Sequence, residues 1–240
     1  MHPQLSAYQQ QTRGLDAAGL VAWALDTFGP ARTVLASSLG AEDQVLTAML
    51  AAKNPAARVF TLDTGRLFQE THDAIQATLE KYGLTFEIVA PDAAEVAALV
   101  RDKGPNLFYE SVELRRRCCA VRKVHPLRGV LATADAWLTG LRREQSVTRG
   151  EVEAVSYDAE HGLFKICPLF DWSEARVWAY IRANGVPYHR LHDQGFPSIG
   201  CAPCTRAVAP GEDVRAGRWW WESPEHKECG LHRGPGRRGR

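Results

Sequence analysis

Five of the six cysteines in this chain fall into three groups that could do chemistry. Cys118 and Cys119 are adjacent, Cys201 and Cys204 form C-A-P-C, and Cys229 lies near the end in K-E-C-G-L-H. A C-C pair and a C-x-x-C together supply four thiolates, enough for one metal centre. Cys229 is then left as a reactive thiol next to Gly230, with Lys227 and His232 close in sequence. Nearby cations lower a thiol pKa and raise its thiolate fraction. A metal or iron–sulfur site with one spare nucleophile points to redox or group-transfer chemistry.

The surroundings of the cysteines sharpen this. Cys118 and Cys119 sit inside R-R-R-C-C-A-V-R-K. On a helix, neighbouring side chains diverge by about 100°, so two adjacent sulfurs reach two corners of a bulky cluster more readily than one small ion. Arg122 is four residues after Cys118 and Lys123 four after Cys119, each one turn on along the same face. Cations there would offset the charge of a thiolate cluster. Two cysteines packed as small hydrophobes would not call for so basic a run. In G-C-A-P-C, Gly200 and Pro203 shape a tight loop that turns both sulfurs inward. A C-x-x-C alone is shared by zinc knuckles and dithiol redox pairs. Cys167, in K-I-C-P-L, reads as a buried strand residue.

A second group of motifs suits a small anion. The loop S-S-L-G-A-E-D offers the hydroxyls of Ser37 and Ser38, and Gly40 lets backbone N–H groups approach an oxyanion. A plain strand-to-helix turn with serine caps would look similar. A second loop, L-D-T-G at 62–65, also follows a strand, and two such loops favour binding. T-G-L-R-R-E-Q-S-V-T-R follows a third strand: Gly140 permits close approach, and Arg142, Arg143 and Arg149 can clamp phosphate or sulfate oxygens. A solvated basic loop is the alternative. Further on, Arg215 and Arg218 lie three residues apart and lead into W-W-W.

The elements that position these groups alternate. Helices are expected over 14–28, about 42–53, about 66–82, 92–103, 111–124 and 173–183, the last opening at Asp171-Trp172-Ser173-Glu174. Strands are expected over 33–37, 58–62, 85–89 and 136–140, with a hairpin of 151–156 and 163–167 around Asp158–Gly162. This alternation implies an α/β domain, a mostly parallel sheet with helices on both faces. The division expected is an N-terminal helical segment over 1–30, the α/β domain over 31–204, and a mobile C-terminal tail over 205–240 carrying Cys229. Regular periodicity fades beyond 184, and G-P-G-R-R-G-R has the composition of a disordered end.

Composition restricts the classes. Of 240 residues, 45% are apolar, enough for a full core, and the net charge of +1 gives no field for nucleic acid. Local basic clusters in a neutral chain suit a small anionic ligand. No stretch approaches the about 18 apolar residues of a membrane span. The N-terminus lacks the charged-then-apolar pattern of a secretory leader, so a cytoplasmic location is expected. Thiols there stay reduced, so the cysteine spacings read as metal-binding or catalytic.

In order and spacing, S-S-L-G-A-E-D, L-D-T-G, C-C-A-V-R-K-V-H-P-L, T-G-L-R-R-E-Q-S, P-L-F-D-W-S, G-C-A-P-C and E-C-G-L-H resemble the assimilatory sulfonucleotide reductases, from about residue 30 to 232. The resemblance implies the Rossmann-like adenine-nucleotide α-hydrolase (PP-loop) fold. It implies that Cys118, Cys119, Cys201 and Cys204 bind one 4Fe–4S cluster per chain. Ser37, Ser38 and Gly40 would form the modified phosphate loop, Leu62 would meet the adenine, and Gly140 would lie in the nucleotide pocket. Lys123, Arg149, Arg215 and Arg218 would surround the phosphosulfate, and Cys229 would be the nucleophile. The substrate implied is adenosine 5'-phosphosulfate, since cluster-bearing members use the nucleotide without a 3'-phosphate. The reductant would be thioredoxin, and the assembly a homo-oligomer, commonly a tetramer. Three alternatives stand beside this reading: a 3'-phosphoadenosine 5'-phosphosulfate or dual-substrate reductase, a PP-loop enzyme of tRNA thiolation, and a non-catalytic zinc module. The tRNA enzymes would need S-G-G-x-D-S where this chain has S-S-L-G-A-E-D, and a zinc module leaves Cys229 and the arginine loops without a task.

Overall fold

The structure, a computed structural model, describes residues 2–145 and 152–223. Its sheet has six strands in the order β3-β2-β1-β4-β6-β5. These are β1 (Thr33–Ala36), β2 (Arg58–Leu62), β3 (Phe86–Val89), β4 (Ala136–Leu138), β5 (Val155–Asp158) and β6 (Leu163–Ile166). Strand β1 pairs in parallel with β2 and β4, β4 pairs in parallel with β6, and β5 runs antiparallel to β6. Val34 and Leu35 are successive, so they point to opposite faces, and both are fully buried. Strand β1 is therefore covered on both sides, as a central parallel strand must be.

Eight α-helices are described: α1 (Leu5–Gln11), α2 (Ala17–Phe28), α3 (Ala41–Lys53), α4 (Gln69–Tyr82), α5 (Ala93–Val100), α6 (Val112–Cys119), α7 (His125–Leu131) and α8 (Glu174–Asn184). Their starts are chemical: the side chains of Asp16, Asp92, Ser111 and Ser173 accept N–H bonds from Gly19, Glu95, Leu114 and Arg176. The Asp16 cap explains why the helix expected from 14 begins at 17. Helix α1 has no counterpart in the sequence reading. Its run L-S-A-Y-Q-Q-Q has no apolar stripe and buries no residue fully. It is held by Tyr8, whose ring lies edge-on to Phe28 and Phe164 at 5.5 and 4.8 Å.

The helix expected over 111–124 takes a different form. Helix α6 ends at Cys119, a π turn spans Ala120–Val124, and α7 follows directly. A π turn is the rare wide form of a helix and recurs at functional sites.

The chain forms two compact units. One comprises the residues through Thr61, Gln69–Ile88 and Val130–Arg190; the other comprises Leu62–Phe68, Val89–Gly129 and the described residues from Leu191 on. In the first, buried residues of α2, α3 and α8 join those of β1, β4 and β6 in one apolar core, among them Val21, Leu25, Leu35, Leu46, Leu138, Ile166 and Ile181. In sequence order the chain moves from β1 towards β3 on one side and reaches β4 on the other. The carboxyl ends of β1 and β4 thus flank the topological switch point, where open α/β sheets bind their ligands.

Candidate functional site

The first unit carries the expected phosphate loop. Ser37 and Ser38 follow β1, and Gly40 caps α3. The residue in the left-handed region is Leu39, at φ +61°, and not Gly40, at φ −65°. Leucine rarely adopts that conformation. Its side chain is fully buried against Ala74 and Ile75, and its N–H donates to Ser37 Oγ at 3.2 Å. Burial thus offsets the strain of the turn.

Asp43 organises this loop from within. The N–H and the Oγ of Ser38 both donate to Asp43 Oδ2 at 2.7 Å, and the Gly140 N–H donates to the same carboxylate. Neighbouring atoms enclose the carboxyl, though part of the residue stays accessible. Burial pushes its pKa up to about 6, against the Ser38 and Gly140 bonds that favour the ion, with Glu42 adding to the rise. Gly140 shows why it is glycine: an added Cβ would lie 2.6 Å from Asp43 Oδ1 and 2.7 Å from Glu42 Cβ. The loops after β1 and β4 are thereby tied to each other.

The cations after β4 are committed to the protein. Arg142 is buried, bridges Glu42 at 2.8 Å and Glu144 at 2.9 Å, and donates to the Trp172 carbonyl. Arg143 donates to the Val152 carbonyl and lies over Phe170. Arg149 lies outside the described residues.

In the second unit, Cys118 and Cys119 at the end of α6 meet Cys201 and Cys204 in one cluster with Phe108 and Trp219. Cys119, Cys201 and Cys204 are buried and Cys118 is half-buried. The four sulfurs feel each other. Burial raises Cys204 to about 12, and Cys201 and Cys119 push it further. Burial also raises Cys118, against Arg122, which hydrogen-bonds it. At Cys201 burial acts upward, but Lys123, a Thr64 hydroxyl at 3.2 Å and Arg218 outweigh it, so the thiol lies below its ordinary value.

Several basic side chains converge on this cage, Arg66 among them. Arg122 reaches Cys118 as the spacing implied. Lys123 reaches Cys201, from the loop opposite, and not only its own helix. Arg218 is buried, stacks over Trp219 at 4.7 Å and acts on Cys201 and Cys204. It occupies the space over Gly200, where an added Cβ would collide with the guanidinium. Arg215 is half-buried, and its N–H donates to Asp213. Leu62 ends β2, and Thr64 and Gly65 lead from it to the cage, with Arg122 donating to the Thr64 carbonyl at 2.6 Å.

A further cation, Arg115, was not singled out by sequence reasoning. It is fully buried, while Arg116 and Arg117 of the same run are exposed. Its Nε and Nη2 donate to the two oxygens of Glu222 at 2.9 and 2.7 Å, it hydrogen-bonds Cys119, and it lies 4.7 Å from the Trp219 ring. The signal was available: three consecutive arginines on a helix cannot all face water when their neighbours are buried. Trp219 itself is at φ +42°, strain of about 1–3 kcal/mol for a bulky residue.

The cage suits a thiolate-bound metal cluster. Four cysteines supply the sulfur donors, and several cations balance them. The buried Nε1 of Trp219, a residue packed in the same cluster as the four cysteines, has no hydrogen-bond partner. Among the described residues no group of three or more His, Cys, Asp or Glu is arranged for a single metal ion. Cys229 and the E-C-G-L-H segment lie outside the described residues. Cys167 is buried after β6, as expected. No helix among the described residues is long and apolar enough to cross a membrane.

Comparison with known proteins agrees with this geometry. Residues 32–207 match the sequence profile of the phosphoadenosine phosphosulfate reductase domain. An adenosine 5'-phosphosulfate reductase of Allochromatium vinosum is 58% identical over 200 residues, covering 83% of this chain and 78% of that protein. One of Sinorhizobium fredii is 47% identical over 232 residues, 97% of this chain and 92% of that protein. Among solved structures, a phosphoadenylyl-sulfate reductase from Candida auris in complex with phosphate superposes with TM-score 0.73 at 25% identity, over 87% of this chain and 98% of that one. An FMN adenylyltransferase of Candida glabrata superposes with TM-score 0.54 at 16% identity, covering 98% of this chain and 78% of that one, a likeness of fold.

Proposed function

The chain belongs to the phosphoadenosine phosphosulfate reductase family, and we propose on that premise that it reduces adenosine 5'-phosphosulfate to sulfite and AMP with thioredoxin as electron source. The observation that carries this reading is the cage of Cys118, Cys119, Cys201 and Cys204 with Lys123 and Arg218 turned towards it. The relatives that cover more than four-fifths of the chain bear the name of the adenosine 5'-phosphosulfate enzyme, which favours that nucleotide over its 3'-phosphorylated form.

Within this reading the four cysteines hold one 4Fe–4S cluster. When bound, the cluster supplies a fixed centre of negative charge that places Lys123 and shapes the field beside the substrate. Ser37, Ser38 and Gly40 hold the nucleotide phosphate at the start of α3, where helix N–H groups favour an anion. Leu62 packs against the adenine, and Gly140 leaves room for the nucleotide.

The Cys229 thiolate attacks the sulfate sulfur. A sulfur–sulfur bond forms, the bond from that sulfur to the phosphate oxygen breaks, and AMP leaves with the electron pair. Two anions must meet for this, so Lys123, Arg149, Arg215 and Arg218 neutralise charge developing on the sulfonate and on AMP. A thioredoxin thiolate next attacks the Cys229 sulfur and sulfite departs. The second thioredoxin thiol closes a disulfide and returns Cys229 as a thiolate. The two electrons that take sulfur from the sulfate to the sulfite level come from the dithiol. The segment carrying Cys229 must close for the first step and open for the second. A cytoplasmic tetramer is the setting that the family resemblance favours.

Intact mass measurement of anaerobic protein mixed with adenosine 5'-phosphosulfate tests this. A sulfonate-sized adduct on Cys229 is expected, removed by thioredoxin and absent from Cys229→Ser. No adduct on the wild type rejects the mechanism.

A further inference from the structure

The loop after β1 has already committed most of its donors. The Ser37 N–H donates to the Phe60 carbonyl at 2.9 Å, and the Leu39 N–H to Ser37 Oγ at 3.2 Å. Ser38 spends both of its donors, the N–H and the hydroxyl, on Asp43 Oδ2 at 2.7 Å. A serine hydroxyl carries one proton. While Asp43 is ionised, Ser38 Oγ therefore has only lone pairs to offer a ligand. Lone pairs repel a phosphate oxygen. Yet Ser38 is the exposed hydroxyl of this loop, whereas Ser37 is buried.

The carboxylates around Asp43 have partners that favour the ion. Glu42, its neighbour on α3, accepts from Arg142 at 2.8 Å and from Gln145 at 3.0 Å. Glu144 accepts from the Glu174 N–H at the start of α8 and from Arg142, bonds that hold its pKa below the ordinary value. Asp43 has only the two Ser38 donors and the Gly140 N–H, and among the described residues no cation acts on it. Its carboxyl is enclosed, and burial has already raised it to about 6. A second anion brought to the same loop raises such a group further. Of the three carboxyls here, Asp43 is the one placed to take a proton.

We propose that Asp43 takes up a proton when the nucleotide phosphate binds, and that this proton frees the Ser38 hydroxyl to donate to the phosphate. The Asp43 carboxyl then donates to Ser38 Oγ, and the Ser38 hydroxyl proton turns to a phosphate oxygen. The proton comes from solvent; no other covalent bond forms or breaks, and nothing is oxidised or reduced. Asp43 is thus a positioning residue that acts on the ligand through Ser38. This rests on the reading of Ser37, Ser38 and Gly40 as the loop that holds the nucleotide phosphate.

Calorimetric titration of the full-length, anaerobic Cys229→Ser protein with adenosine 5'-phosphosulfate tests it. No covalent step follows binding there, and the ligand itself has no proton to exchange near neutrality. Titrations at about pH 7.5 in two buffers of low and high protonation enthalpy count the protons taken up. Uptake of about half a proton or more per nucleotide is expected, with affinity rising by up to about tenfold for each pH unit lost between about 8 and 6.5. Asp43→Asn, whose amide can donate to Ser38 Oγ at every pH, should bind with no uptake and a flat pH profile. Difference infrared spectra at the same pH should show a protonated carboxyl band that appears with the nucleotide, a signal that histidine does not give. This measurement keeps Asp43 in place and decides even if Asp43→Asn does not fold. Binding without proton uptake, equal uptake in Asp43→Asn, or uptake with no carboxyl band overturns the proposal. No binding at all would overturn the reading of the loop and the proposal with it.

Discussion

Asp43 and Ser38 are joined twice, by the Ser38 N–H and by its hydroxyl, both donating to one carboxylate oxygen at 2.7 Å. The loop proposed to hold the nucleotide phosphate is thus shaped by an internal carboxylate.

That relationship has a pH signature. The Asp43 carboxyl ordinarily titrates near 3.8 and is raised to about 6 in the folded chain, chiefly by burial and with Glu42 adding to it. Ser38 and Gly140 oppose the rise, and Arg142 is drawn to Glu42. A raised carboxyl takes up a proton on folding. Its contribution to stability is full below pH 3.8 and is lost as the pH rises through about 6. The stability of wild type relative to Asp43→Asn, read from urea midpoints, should therefore fall between those values and level off above them. Infrared spectra should show a protonated carboxyl band that fades through about pH 6 and is missing from the variant. A difference independent of pH would refute the assignment.

Gly140→Ala places a methyl carbon against the Asp43 carboxylate and Glu42. Overpacking of this kind costs about 1–3 kcal/mol. The loops after β1 and β4 should be forced apart, and nucleotide affinity should drop by about tenfold or more for each 1.4 kcal/mol lost at the site. Calorimetric titration with AMP measures it, and unchanged affinity would show that the two loops yield without consequence.

Lys123→Ala removes one of the two cations that act on Cys201, the other being Arg218. Cluster absorbance should be retained, since the four cysteines remain, while turnover drops by about 100-fold, the usual effect of losing one electrostatic stabiliser of a transition state. Normal turnover would mean that Lys123 serves the sulfurs alone.

Substrate choice follows from the same reading. Turnover of adenosine 5'-phosphosulfate should exceed that of the 3'-phosphorylated nucleotide, measured as kcat/KM on one preparation. Equal values would place the chain with dual-substrate enzymes.

Much of the site was legible from spacing. The C-C pair and C-A-P-C predicted a four-cysteine centre, and the structure gathers all four. Arg122 lies where a helical repeat puts it. The strands of the parallel sheet were visible as short apolar runs. What the sequence hid were contacts between distant stretches and departures from regular geometry. Arg115 and Glu222 are 107 positions apart, so no local pattern joins them. Asp43 was not singled out in the sequence; it lies in the first turn of α3, yet it folds back to Ser38. Gly40 was read as the residue that lets backbone N–H groups approach an oxyanion, while buried Leu39 takes the left-handed turn. The basic run at 139–149 looked free to clamp an anion, but Arg142 is paired with Glu42 and Glu144.

The π turn at Ala120–Val124 bears on how this chain can vary. A wide turn adds one residue to the helical circuit and rotates everything after it by about 100° relative to an unbroken α-helix. Leu127 and Leu131, both buried in α7, owe their facing to that extra residue. Single replacements within the turn leave the phase untouched. Deleting one residue would restore an unbroken α-helix and swing those leucines out of the core. Arg122 and Lys123 apart, whose side chains act on the cysteine cage, the stretch between the C-C pair and α7 is therefore constrained in length more than in residue type, and descendants of this chain should accumulate exchanges at its other positions but neither insertions nor deletions.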